Sequence, residues 1–179
     1  MTDRLVPYAL GKTSGSTTEL PHLAGYRALF TDDDPTTGPD GAATTAMTVE
    51  AIWVRNESGG ALNPGAPVTW DTSNLGPGLS IGGNAADDAK TVGIVDPYVS
   101  GTVADDYYFW LIVKGPTKVR YDGSSSLTVG TEIKSAGSGN VSLYTFATDD
   151  ADSKFGVTIE AKTSGTAGDL FRALIDCTV

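Results

Sequence analysis

Tyr107-Tyr-Phe-Trp-Leu-Ile-Val-Lys-Gly115 opens with seven consecutive apolar or aromatic residues. The run is far shorter than the roughly 20 residues a membrane-crossing helix needs. Its aromatic and β-branched residues favour extended backbone instead. In a strand, side chains alternate between faces, so Tyr107, Phe109, Leu111 and Val113 share one side and Tyr108, Trp110 and Ile112 the other. A strand apolar on both faces has to be covered on both.

Shorter runs of the same kind lie on either side. Ala51-Ile-Trp-Val-Arg55 is an apolar run ended by Asn-Glu-Ser-Gly-Gly. Asn63-Pro-Gly65 is a turn, because proline presets φ and glycine accepts φ > 0. Strands are predicted at 67–71 and 91–95, with a Gly- and Asn-rich loop from Leu75 to Asp88 between them. Further strands are predicted at 118–121, 132–135, 141–144, 156–161 and 170–176. Charged residues make up 19% of the chain, below the usual quarter, and 22 glycines help fill the gap, as in proteins of many strands and turns. The expected fold class is therefore all-β: a β-sandwich or small β-barrel of short strands with an extended N-terminal arm. A weak internal repeat is visible between about 62–115 and 127–176. Leu62-Asn-Pro-Gly65 matches Leu127-Thr-Val-Gly130, Val92-Gly-Ile94 matches Phe155-Gly-Val157, Ser100-Gly-Thr102 matches Ser164-Gly-Thr166, and Asp106 matches Asp169.

Residues 1–47 read as the arm and 48–179 as the β-domain. Turn-forming clusters such as 11–18, 31–35 and 37–41 bury too little to order themselves. The exception is Leu20 to Phe30, where Leu23, Tyr26, Leu29 and Phe30 recur at roughly helical spacing and predict one short docked turn of helix. Deletion of 1–47 is expected to leave the β-domain folded. With Trp53, Tyr107, Tyr108 and Trp110, these four residues are the candidate interface anchors, since aromatic side chains dominate contact energetics. The competing reading is that the aromatics fill the core.

Chemical constellations are sparse. His22 is the only histidine and Cys177 the only cysteine, which rules out a multi-imidazole zinc site and an intramolecular disulfide. No Gly-x-Ser-x-Gly elbow occurs. Gly76-Pro-Gly78 followed by Gly82 is one residue too long for a dinucleotide loop. Asp149 to Glu160 imitates a calcium loop, but Ala151 and Lys154 occupy positions that need a ligand and a glycine. No catalytic, cofactor or metal site is expected, and the chain is read as a non-enzyme. A net charge of −10 without a basic run argues against direct nucleic-acid binding. No membrane association is expected, and the extreme N-terminus lacks the pattern of a secretory signal, which points to synthesis in a reducing host cytoplasm.

A family resemblance lies between about residues 50 and 176. Val54-Arg-Asn-Glu-Ser-Gly-Gly-Ala-Leu-Asn-Pro-Gly-Ala-Pro-Val68, then Val92-Gly-Ile-Val-Asp96, Ser100-Gly-Thr-Val-Ala104 and Tyr108-Phe-Trp-Leu-Ile-Val-Lys-Gly115, resemble in order the small capsid decoration (cement) proteins of tailed bacteriophages. Val129 to Ile133 and Leu170 to Ile175 continue in the same style. The motifs are glycine and apolar patterns, and the N-terminal arm is not matched. The resemblance implies a β-knob on the outer capsid surface of the virion, bound to the major capsid protein and clamping its lattice. It implies self-association as a homotrimer, which the doubly apolar strand also favours, because a small single sheet would struggle to cover both faces alone. Alternatives are a phage fibre or receptor-binding module and a carbohydrate-binding β-domain. With no metal site and no disulfide expected, chelators and thiol reductants should leave the melting temperature unchanged; a large drop in EDTA would overturn the reading of the acidic loops.

Overall fold

The computed structural model describes residues 10–11, 13–15, 24–32 and 47–177. The strands are, in chain order, β1 Thr13–Ser14, β2 Arg27–Asp32, β3 Met47–Asn56, β4 Pro67–Trp70, β5 Ser80–Asn84, β6 Gly93–Val95, β7 Tyr108–Arg120, β8 Glu132–Ser135, β9 Val141–Leu143, β10 Lys154–Thr158 and β11 Leu170–Asp176. The only other regular element among the described residues is a 3-10 turn at Ala151–Ser153. The protein is all-β.

Two closed rings of five strands share the long strand β7. In the first, β3 pairs with β7, β7 with β6, β6 with β4, β4 with β5, and β5 returns parallel to β3. In the second, β7 pairs with β11, β11 with β10, β10 with β8 and β8 with β9. A parallel bridge from Val141 to Tyr121, just past the end of β7, closes that ring. The pairings repeat residue for residue. Val54↔Phe109 recurs as Val119↔Phe171, Val68↔Gly93 as Ile133↔Gly156, and Ile94↔Ile112 as Val157↔Leu174. Gly93 and Gly156 hold matching places because a Cβ on either would press within 3 Å of the next strand's backbone. The first ring starts at β3 and the second at the latter half of β7, so Val54-Arg55 corresponds to Val119-Arg120, a match that sequence inspection passed over.

Each ring encloses an apolar core. Ile52, Val54, Leu62, Val68, Ile81, Phe109, Leu111 and Val113 fill the first. The second cluster joins Val119, Leu127, Ile133, Phe155, Phe171 and Ile175 to the outer wall of the first barrel, where Trp53, Tyr108, Trp110 and Ile112 lie. The alternation of β7 therefore changes sense along its length. Odd residues up to Val113 face the first barrel, yet Val119 and Tyr121 join the cluster that holds Tyr108 and Trp110. The change falls at Gly115, which has φ +106° and lies beside a register shift against β3. An L side chain there would be strained, and its Cβ would meet the Thr48 carbonyl at 2.6 Å.

Three expectations change. Leu20–Phe30 is expected to hold one short docked turn of helix; residues 20–23 lie outside the described ones, and Arg27–Asp32 is a strand paired with β3 from Arg27↔Ile52 to Asp32↔Met47. Tyr26 and Phe30 thereby reach Trp110 at ring distances of 6.4 and 4.9 Å. The sheet continues across residue 47, and the N-terminal segment covers apolar wall. The loop expected over 75–88 contains β5, whose Gly-rich sequence hid the strand that closes the first barrel. Finally, both faces of the aromatic strand are covered within one chain, so its double apolarity no longer argues for a homotrimer.

Phe30→Ala should lower unfolding free energy by about 2 kcal/mol, less than a fully buried phenylalanine, because it strips the edge contact from Trp110. Gly115→Ala should cost more than that through backbone strain and the clash at Thr48. Urea titration followed by tryptophan fluorescence reads both.

Candidate functional site

The eight sequence candidates separate by position. Trp53 and Trp110 are fully buried and Tyr108 nearly so. Trp53 meets Trp110 edge-on at 5.1 Å and stacks with Tyr108 at 6.3 Å. These three fill the core, the competing reading above, because the turns of chain on either side fold both walls over them. Tyr26 and Phe30 pack on the same cluster from outside. Tyr107 is exposed at the start of the strand, and Leu29 projects away from the barrel at 70% exposure. Leu23 lies outside the described residues, as do His22, Asp33 and Asp34.

The remaining polar groups are mostly committed to holding turns. Asn56 is buried and donates from Nδ2 to the carbonyls of Gly60, Val103 and Ala104 at 2.8, 3.1 and 3.1 Å. Asp71 accepts from the Ser73 and Asn74 amides at 3.0 and 2.7 Å. The Ser73 amide is the largest cause holding its carboxyl down at about 2. Asp122 binds the amides and hydroxyls of Ser124 and Ser125. Burial would raise its carboxyl, but those bonds outweigh it and hold it low. Cys177 is buried, which pushes its thiol up to about 12 and leaves it without thiolate character at neutral pH.

The densest charge cluster ties the barrels together. Lys134 Nζ on β8 reaches Asp88 at 2.7 Å, Asp87 at 3.0 Å and Asp149 at 3.1 Å. Asp87 and Asp88 belong to the β5–β6 loop of the first barrel, and Asp149 to the second. Burial alone would lower the ammonium, but the three carboxylates outweigh it and raise it. Asp149 is held low first by the Thr145 amide and then by Lys134. The calcium-like segment after Asp149 is a 3-10 turn running into β10. Among the described residues, no group of three or more His, Cys, Asp or Glu side chains could hold a metal ion. Nor is any helix among them long and apolar enough to cross a membrane.

An open groove of about 830 Å³ lies outside the second barrel. Pro116, Val157 and Leu174 line it from β7, β10 and β11, and Leu29 from β2. Its rim carries the ion pairs Lys114–Asp176 at 2.9 Å, Lys154–Glu132 at 2.8 Å and Arg27–Glu50 at 2.7 Å. The Glu132 hydrogen bond is the first cause raising the Lys154 ammonium. Each rim charge has a partner of opposite sign, so the groove presents apolar area with balanced charge. Sequence reasoning located β11 but not this face. The signal was the alternation of Leu170, Arg172, Leu174 and Asp176, which gains meaning only once the strand's outward side is known.

The described residues form a pair of five-stranded β-barrels that share one strand. No protein-family model and no curated protein matches the chain. Among solved structures it is similar to the N base of the head fibre gp8.5 of bacteriophage phi29. That match has a TM-score of 0.51 and 16% identity, and covers 72% of this chain and 94% of that one. At such identity the likeness is one of fold.

Lys134→Met should lower the melting temperature at neutral pH, because it leaves the Asp149 carboxylate beside Asp87 and Asp88 without its counter-ion. Asp149 has a depressed carboxyl in the fold, so the stability it contributes is present above the unfolded value of 3.8 and is lost as pH falls below it. The gap between wild type and variant should therefore close below about pH 4; a gap independent of pH would show that packing rather than charge is lost.

Proposed function

We propose that the chain is a non-catalytic structural protein of a tailed-phage head, a decoration protein bound to the outer surface of the major capsid protein lattice. The observation that carries this reading is the tandem-barrel fold itself, similar to the base of a head fibre over nearly all of that chain. The family resemblance of residues 50–176 and the acidic, chemically quiet surface support it. A decoration protein resists deformation rather than transforming a substrate. Two closed rings suit that task, since closure removes edges along which sheets slip or aggregate. Assembly as a homotrimer is part of the proposal and rests on the family resemblance alone.

A second reading, a head-fibre base, is favoured by what the structural neighbour is named. Copy number separates the two. Quantitative mass spectrometry of purified particles should find copies in the hundreds per head, and heads lacking the protein should rupture at lower temperature. A dozen copies or fewer would transfer the protein to the fibre reading, and absence from the particle would overturn both.

A further inference from the structure

We propose that the β7 edge beside Asp96 is a strand-acceptor site, and that the β1 segment of the same chain is its reversible ligand rather than a fixed part of the barrel. The site arises where β6 leaves the sheet. β6 pairs with β7 at Ile94↔Ile112 and Val95↔Leu111, and the Asp96 amide still reaches the Trp110 carbonyl at 3.1 Å. Pro97 follows, and the Asp96 carboxylate accepts the Tyr98 amide at 3.0 Å, which turns the chain away from β7. Phe109 and Tyr108 are thereby left beyond the end of β6, while β3 holds their other edge through Val54↔Phe109 and Arg55↔Tyr108. β1 takes the vacated edge through Thr13↔Phe109 and Ser14↔Tyr108. Among the described residues it pairs with β7 alone, and the first ring closes without it.

The chemistry at the end of this edge makes it selective. Asp96 is fully buried, and its second carboxylate oxygen accepts the Gly11 amide. A carboxylate taken out of water needs such donors, and a bond from an amide to it is charge-assisted. Gly11 has φ +86°, and a Cβ there would lie 2.9 Å from the Tyr98 carbonyl, so the site selects glycine at that place. Leu10 packs against the second apolar cluster, and Gly15 lies so close to the Tyr107 ring that a Cβ would be 3.6 Å from it. The ligand is therefore an extended segment with a glycine amide two residues before its first paired position. Backbone pairing supplies the affinity of such an added strand, and the glycine supplies the selection. The grip is small beside that of the closed rings, so the segment opens at lower free energy than the barrel unfolds. Opening bares the Tyr108–Phe109 edge and the Asp96 carboxylate.

The test uses the full chain carrying Gly11→Val. Gly60→Val is the control, because Gly60 is exposed and a Cβ there would meet nothing within 4 Å. Hydrogen exchange at the amides of residues 11, 13 and 14 should quicken about tenfold or more in Gly11→Val and match wild type in Gly60→Val, with Leu111 and Ile112 as slow as before. A fluorescein-labelled peptide of residues 8–16 should then bind Gly11→Val saturably in fluorescence anisotropy. It should bind wild type about tenfold more weakly or worse, since the resident segment competes for the site. The same peptide carrying Gly11→Val should bind neither protein. Unchanged exchange in Gly11→Val, no saturable binding to it, or equal binding of the two peptides would overturn the proposal. Gly11→Ala replaces Gly11→Val if the latter does not melt cooperatively, and failure of both to do so would overturn it by making β1 part of the fold. Sedimentation showing a wild-type dimer that Gly11→Val dissociates would also overturn it, by making the segment of a second copy the occupant.

Discussion

Both faces of β7 have to be kept from water, and the rest of the molecule is arranged to do it. Six consecutive buried residues, Tyr108 to Val113, carry more apolar area than one sheet layer can hide. At about 25 cal/mol per Å² of apolar surface, leaving either face wet would forfeit several kcal/mol, comparable to the net stability of a domain. One face is hidden by closing β3, β4, β5 and β6 around it. The other is hidden partly by the N-terminal strands and partly by continuity with the second core. The change of sense in the strand's alternation falls beside the register shift against β3, where Gly115 takes up a positive φ and a close approach to the Thr48 carbonyl.

Polar chemistry in the protein serves the same end. Asn56 and Tyr121 occupy matching positions at the ends of the two rings, next to the parallel closures Glu57 to Ile81 and Asp122 to Val141. Asn56 satisfies three carbonyls of the 60–104 region, while Tyr121 donates its hydroxyl to the Ser125 carbonyl. The same structural job is done by different side chains because each only has to satisfy local carbonyls that closure would otherwise bury unpaired. Lys134 and its three carboxylates do for the barrel–barrel contact what these residues do within a barrel. Asp71 and Asp122 engage neighbouring amides and hydroxyls with their oxygens, and Asp87, Asp88 and Asp149 engage Lys134 with theirs.

Much of the strand content was legible from alternation and turn chemistry. Glu132–Ser135 and Leu170–Asp176 fall where their patterns place them, and the Leu–x–x–Gly turns at 62–65 and 127–130 occupy equivalent corners. The failures share a physical cause. Ser80–Asn84 lacks the apolar alternation of a strand, because its role is to close a ring through backbone pairing at a crowded corner. Leu23, Tyr26, Leu29 and Phe30 have helical spacing, but Leu29 faces solvent while Phe30 meets Trp110, which is the two-residue period of a strand against a wall.

By itself the sequence determined the all-β class, the central aromatic strand and a hint of repetition, since these depend on local period and residue chemistry. Only the tertiary structure decided that the repeat closes into two barrels sharing β7, that Trp53, Tyr108 and Trp110 are core, and that Leu174 lies in an open groove. Those outcomes depend on which strand edges meet and on which side of a strand faces another wall. An apolar residue is written the same way whether its neighbours bury it or leave it bare.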